Sequence, residues 1–306
     1  MSDQRILQRL APVLRPFAEA RTDLSMPVLA VVRDGLNQRR AASAHEVDAV
    51  GVEIDERELG GVRVRIYRGA PAPAPAVAYC HAGAFVLGNL DTDHLQCVQF
   101  ARQGRCTVIS VDYRLAPEHP YPAALDDAIA VLRAAVDGAV ELGIDPARVA
   151  VAGSSAGAAL AARLAHCAAD GLVPPVAFQL LHQPVLDDRP TPSKQAFDAT
   201  PGFDGRAAEL MWRHYLAGRP ASADQVPARR TELSGVAPAL ITCSELDPLR
   251  DEAIDYARRL LHAGVATELH VFPGTCHGFD SLLPDWEVSR ELFDIQGAAL
   301  RRALHG

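Results

Sequence analysis

The sequence lacks several things, and each lack removes a class of function. It has no C-x-x-C pair and no His or Cys spacing of the kind that holds zinc. A structural or catalytic metal centre is therefore not expected. It has no basic stripe: 30 Lys and Arg face 38 Asp and Glu, a net charge of −8, so little is available to neutralise phosphates and nucleic acid is not expected as a partner. No apolar run is long enough to span a bilayer, and the polar, helix-patterned start from Met1 to Ala11 carries no signal-peptide core. The six cysteines, Cys80, Cys97, Cys106, Cys167, Cys243 and Cys276, lie partly in apolar, strand-like runs and are read as buried free thiols. Together these features predict a cytoplasmic protein. There is no internal repeat, and no low-complexity run beyond a Pro-Ala linker at Pro71, Pro73 and Pro75.

What is present is enough chain, 306 residues with 49% hydrophobic, for one large α/β domain and a subsidiary element. From Asp3 to Ala42 the pattern is helical, with Ile6, Leu7, Leu10, Leu14 and Phe17 at helical spacing and a second set following Pro27. Val47–Ile54 and Val62–Tyr67 alternate apolar with polar around Gly60-Gly61, which predicts an antiparallel hairpin. Thereafter short, continuous apolar runs predict buried strands at Val77–Cys80, Thr107–Val111, Val149–Ala152, Val176–Leu181, Ala239–Cys243 and Glu268–Phe272. Helical stretches at His94–Gln103, Pro122–Leu142, Ala156–Ala169, Asp251–Ala263 and Asp285–Ala303 alternate with most of them. That alternation predicts a mostly parallel sheet of about eight strands flanked by helices. Between Leu186 and Ser234 the alternation breaks into a Pro- and Asp-rich stretch with one helix near Arg206–Leu216. An insertion of this length usually has a function, often as a lid.

The chain is organised around Gly153-Ser154-Ser155-Ala156-Gly157, between a strand and an Ala-rich helix. A Gly-x-Ser-x-Gly turn of this kind exposes the central hydroxyl above the sheet and aims the following N–H at any negative charge formed there. A serine needs a general base, and the base needs an orienting carboxylate. His277, in a Gly-flanked loop at the end of a predicted strand, is the candidate base. Asp247, at the end of the preceding strand, is the candidate carboxylate, with Glu245 as its main competitor. Asp251, Glu252 and Asp255 read as the acidic first turn of the next helix. An oxyanion site needs converging backbone N–H groups; Ala156 supplies one, and the small-residue loop His81-Ala82-Gly83-Ala84 is placed to supply others.

These motifs resemble the hormone-sensitive-lipase-like branch of the α/β-hydrolase esterases, which carries His-Gly-Gly-Gly, Asp-Tyr-Arg-Leu-Ala-Pro-Glu, Gly-Asp-Ser-Ala-Gly, Asp-Pro-Leu and His-Gly-Phe in that order. The longest match here is the run from Asp112 to Ala124, and the resemblance spans Ala76 to Phe279. It implies an α/β-hydrolase fold with a helical cap: cap helices at 1–44, a catalytic domain at 45–185 and 234–306, and a cap insertion at 186–233. It also implies a triad of Ser155, Asp247 and His277, oxyanion donors at Gly83, Ala84 and Ala156, and a supporting role for His81 in the oxyanion loop. Arg114 and Glu118 are expected to form a scaffold ion pair. Two departures stand out: Ala82 and Ala84 replace family glycines and narrow the loop, and Ser154 replaces the usual acidic or threonine neighbour.

The implied activity is a carboxylesterase acting on short-chain acyl esters through an acyl-enzyme, with a small-molecule ester as substrate, no cofactor and a homodimer left open. An amidase or other acyl hydrolase on the same triad, and a non-catalytic receptor of the same fold, remain as alternatives. Phe17, Phe203, Trp212 and Leu216 are candidates for an apolar lining of the site, with core packing within the cap as the alternative role for each. The N-terminal helices are expected to govern substrate range or stability more than the attack chemistry.

Overall fold

Each of the inner strands is apolar on both sides, and so must be covered on both faces. In β3 (Ala74–Cys80), Val77 and Tyr79 face one core while Ala76, Ala78 and Cys80 face the other, all of them buried. A computed structural model describes residues 3–306; Met1 and Ser2, the first positions of the expected N-terminal cap, lie outside them. Its eight strands form a single sheet in the order β1-β2-β4-β3-β5-β6-β7-β8. Here β1 is Glu53–Leu59, β2 Val62–Arg68, β4 Thr107–Val111, β5 Ile144–Ser154, β6 Phe178–His182, β7 Ala239–Leu246 and β8 Thr267–Cys276. The pairs β1·β2 and β2·β4 are antiparallel and the remaining pairs are parallel.

On one face lie α4 (Ala123–Asp137), α6 (Ala156–Ala169) and α9 (Arg250–His262); on the other lie α3 (His94–Gly104) and the terminal helix α11 (Glu287–His305). Between the faces the register levels the strand ends. Cys80 pairs with Gly153, Ser154 with His182, and His182 with Thr242. The loops that leave β3, β5, β6, β7 and β8 therefore emerge at one edge, where open α/β sheets bind ligands.

The N-terminal segment comprises α1 (Asp3–Arg9), a 3-10 turn (Pro12–Phe17) and α2 (Leu29–Glu46). The predicted helical stretch is interrupted where Pro12, Pro16 and Pro27 remove backbone donors. The insertion carries α7 (Pro192–Ala196) and α8 (Gly205–Leu216). The first predicted strand is corrected: Val47–Val50 is not paired, and β1 starts at Glu53. Asp48 accepts the Val50 N–H, and Gly51 has φ +82°, so the chain turns there. Val47, Ala49 and Val52 pack on the core from a loop, which reproduces the alternation without a ladder. Gly60 and Gly61, with φ +60° and +79°, close the β1·β2 hairpin as a two-residue loop requires. The predicted helix Pro122–Leu142 divides at Gly138 into α4 and α5 (Ala139–Leu142), and β3 absorbs Pro75 from the expected linker. All six cysteines are free and buried. Among the described residues no helix is long and apolar enough to cross a membrane.

Candidate active site

The junction of β5 and α6 is a sharp corner. Ser155 sits there with φ 55° and ψ −116°, an unfavourable conformation for a residue with a Cβ that costs on the order of 1–3 kcal/mol. The corner closes only because its flanks are glycines: a Cβ on Gly153 would lie 2.3 Å from the Gly157 carbonyl oxygen, and one on Gly157 would lie 2.0 Å from that of Cys80. The backbone of Ser155 is pinned by donation to His182 O at 2.8 Å and by the Val185 N–H at 3.1 Å. Ser154 ends the strand one residue earlier and pairs with His182.

His277 Nε2 lies 3.0 Å from Ser155 Oγ, and its Nδ1 lies 2.8 Å from Asp247 Oδ2. Asp247 is fully buried, and its other oxygen accepts the Leu249 N–H at 2.8 Å. Burial pushes the His277 imidazole towards its neutral form. The Asp247 charge and hydrogen bond, with a further contribution from Asp280, outweigh that and hold its pKa above the usual value. The structure thus brings Ser155, His277 and Asp247 into one hydrogen-bonded chain.

The competing carboxylates are engaged elsewhere. Glu245 takes Arg9 at 2.7 Å and the Gly274 N–H at 2.7 Å. Asp251 accepts from Ser193 and Arg250. Glu252 does lie in the first turn of α9, as expected, but its side chain is turned inward. It is fully enclosed, accepts the Leu186 and Asp187 N–H groups and pairs with Lys194, the only lysine of the chain. Burial pushes its carboxyl up to about 7, against the pull of Lys194.

Beyond β3 the chain makes a tight loop with three successive positive φ values: Gly83 140°, Ala84 55° and Phe85 60°. A Cβ on Gly83 would lie 2.0 Å from Leu87 O, so this glycine has no substitute. Val86 and Leu87 donate to Gly83 O, while the N–H groups of Gly83, Ala84 and Ala156 have no backbone acceptor among the described residues. His81 is buried and stacks on Tyr113 with ring centroids 4.2 Å apart. Its Nδ1 meets Ala82 O at 2.8 Å, Tyr113 donates to its carbonyl, and burial lowers its pKa to about 4. The expected Arg114–Glu118 pair does not form. Arg114 binds Asp127 of α4 through both nitrogens of its fork, and Glu118 binds Arg33 of α2. Four residues apart on a non-helical stretch, the two side chains diverge to different helices.

Above His277 lies the ring of Phe203, 4.9 Å between centroids. Its loop is joined to the N-terminal segment by the Gly202 N–H to Ala20 O bond and by Arg21, which reaches Ala199 O. Trp212 and Leu216 pack with the main core, Trp212 donating to Asp187 O, and Phe17 packs with Phe197 and Phe272 in a separate cluster.

Gln183 went unrecognised in the sequence. It follows β6 with φ 45°, donates to Ser244 Oγ, and accepts the Gly278 N–H next to His277. The one available signal was its place just past a buried strand. The buried pair of His182 and Asp280, 3.2 Å apart, was likewise not anticipated.

Comparison with known proteins places this geometry among relatives. A family model described as an alpha/beta hydrolase fold matches residues 77–281. The chain is 39% identical over 271 residues to the esterase LipI of Mycobacterium tuberculosis, covering 85% of this chain and 84% of that one. It is 36% identical over 252 residues to an ethyl acetate hydrolase of Pseudomonas putida, covering 78% of each. The crystal structure of the esterase LipW from Mycobacterium marinum superposes with a TM-score of 0.96 at 60% identity, over 98% of both chains.

Proposed function

Given that the chain belongs to the hormone-sensitive-lipase-like family of α/β hydrolases and is a carboxylic ester hydrolase of the serine type, we propose that Ser155, His277 and Asp247 are its catalytic triad and that it cleaves short-chain esters through an acyl-enzyme. The observation that carries this reading is the Ser155–His277–Asp247 chain of 3.0 Å and 2.8 Å contacts.

The chemistry follows from those contacts. With Asp247 accepting a hydrogen bond from the Nδ1–H, the Nε2 lone pair faces the Ser155 hydroxyl. Ser155 Oγ attacks the ester carbonyl carbon while His277 takes its proton. The resulting oxyanion is met by the N–H groups of Gly83, Ala84 and Ala156. Collapse of the tetrahedral intermediate breaks the bond to the alcohol oxygen, which leaves with the proton from His277. Water then repeats the sequence on the acyl-enzyme, releasing the acid and restoring the Ser155 hydroxyl. The mechanism calls on no metal or organic cofactor.

In the same reading, residues 1–44 and 186–233 form a cap over a catalytic domain of 45–185 and 234–306. The Ala20–Gly202 contact and the position of Phe203 over His277 support that division. A short acyl preference is supported by the Phe203 ring 4.9 Å from that of His277 and by a relative named for ethyl acetate hydrolysis. Six free thiols support a reducing, cytoplasmic location. The test is trapping: a serine-directed phosphonate is expected to abolish p-nitrophenyl ester turnover and to label Ser155 stoichiometrically. Label at another residue would remove the assignment.

A further inference from the structure

Helix α2 lies outside the sheet, yet two of its arginines are turned inward. Arg33 and Arg40 are seven residues apart, on one face of the helix. Arg33 Nε donates to Val86 O at 2.8 Å, in the middle of the loop that carries Gly83 and Ala84. Its other nitrogens reach Ala116 O at 3.2 Å and both oxygens of Glu118 at 2.9 Å and 3.0 Å. Ala116 in turn donates to Phe85 O. One guanidinium thus grips the loop directly and also grips the strand-end segment that holds the loop from the other side.

Arg40 acts at the end of the same loop. It donates to Thr92 Oγ1 at 3.2 Å, and that hydroxyl accepts the Asn89 N–H at 2.9 Å. Its charge also bears on Asp93, whose carboxylate accepts the Ala82 N–H at 2.7 Å and the Tyr79 hydroxyl at 2.9 Å. Burial pushes the Asp93 carboxyl up, while the Ala82 N–H, Arg40 and Tyr79 oppose the loss of its charge. The loop needs such restraint, because Ala84 and Phe85 both occupy the left-handed region that side chains disfavour.

We propose that α2 is a positioning element for the chemical step, its Arg33 and Arg40 holding the loop from Ala82 to Asp93 so that the Gly83 and Ala84 N–H groups stay aimed at the developing oxyanion. This rests on the reading of those two groups as oxyanion donors. It departs from the view that the N-terminal segment governs only substrate entry or stability. A displacement of about 1 Å at such donors is enough to cost about 100-fold in rate.

The test compares Arg33→Met and Arg40→Met with the unaltered full-length protein, per active site titrated by phosphonate. The readouts are kcat and KM for p-nitrophenyl butyrate, the inhibition constant of trifluorobutanone, and the thermal midpoint. The ketone takes Ser155 Oγ at its carbonyl carbon, its proton passes to His277, and an oxyanion remains in the donor site. Arg33→Met is expected to lower kcat about 10- to 100-fold with KM within about twofold, and to weaken the ketone by the same factor. Arg40→Met is expected to follow the same pattern less strongly. Arg33→Lys, which retains the charge but not the fork, gives the same comparison should Arg33→Met fail to fold. A raised KM at unchanged kcat, or unchanged ketone affinity, overturns the proposal. Failure of the ketone to inhibit the unaltered protein would instead remove the oxyanion assignment beneath it.

Discussion

Leu246 pairs with Cys276 across the last two strands of the sheet, after a register shift between Ser244 and Leu246. Asp247 and His277 are the first residues past the two strand ends, so a single backbone pairing brings carboxylate and imidazole to 2.8 Å. Glu245 lies on the irregular side of the shift and points to Arg9 and Gly274 instead. Asp247→Asn is therefore expected to lower kcat by about 10⁴, through loss of the imidazole tautomer. Glu245→Gln is expected to leave kcat within a few-fold. A larger loss at Glu245, measured in folded protein, would transfer the role.

The same pair sets a pH dependence. In the proposed mechanism His277 acts as a base only when neutral, and its pKa is raised by Asp247 against burial. Activity is thus expected to fall as pH drops through a midpoint above the ordinary imidazole value of about 6.5. The residual activity of Asp247→Asn is expected to show that acid limb at lower pH, because burial then acts with less opposition. A kcat/KM profile from pH 5 to 9 decides this; an unmoved or raised midpoint in the variant counts against the coupling.

The two adjacent serines separate cleanly by geometry. Ser155→Ala is expected to abolish ester turnover, and Ser154→Ala to retain most of it, since Oγ of Ser155 is the one at 3.0 Å from His277 Nε2. Gly157→Ala is expected to be insoluble or inactive because its Cβ would lie 2.0 Å from Cys80 O. Equal losses from the two serine variants would contradict the assignment.

The proposed short-chain preference places the Phe203 ring at the limit of the acyl site. Each buried methylene adds about 0.8 kcal/mol while there is room. For p-nitrophenyl esters, kcat/KM is expected to rise over the first few carbons and fall beyond about C6. Phe203→Ala removes the ring at 4.9 Å from His277 and is expected to move the optimum to longer chains. Activity climbing through C12 and C16 in the unaltered protein would refute a short-chain preference.

The Lys194–Glu252 pair ties the insertion to the helix after Asp247. Removing one partner of a buried ion pair leaves an uncompensated charge, at about 3–5 kcal/mol. Lys194→Met is expected to show a loss of this order in denaturant titrations near pH 8. The loss is expected to be smaller near pH 6, where Glu252, already raised to about 7 by burial, takes up a proton. A loss independent of pH would mean that the carboxylate finds another partner.

The amino-acid sequence alone determined the elements and the reactive types. Short continuous apolar runs marked the inner strands because a strand covered on both faces needs apolar side chains on both. The glycines flanking Ser155 marked the corner because only they fit it, and the order of motifs identified the family. The chain could not reveal from local pattern which residues meet across long separations. The choice between Glu245 and Asp247 depended on a register shift in β7·β8. Arg114 and Glu118, four positions apart in one family motif, parted to Asp127 of α4 and Arg33 of α2. Glu252 turned inward because Lys194 and two N–H groups of a distant loop converge on it. Gln183 acquired its contacts only once β6 lay beside β7 and β8. Local propensity is written into each residue and its near neighbours; partners brought together by packing are decided by the whole fold at once.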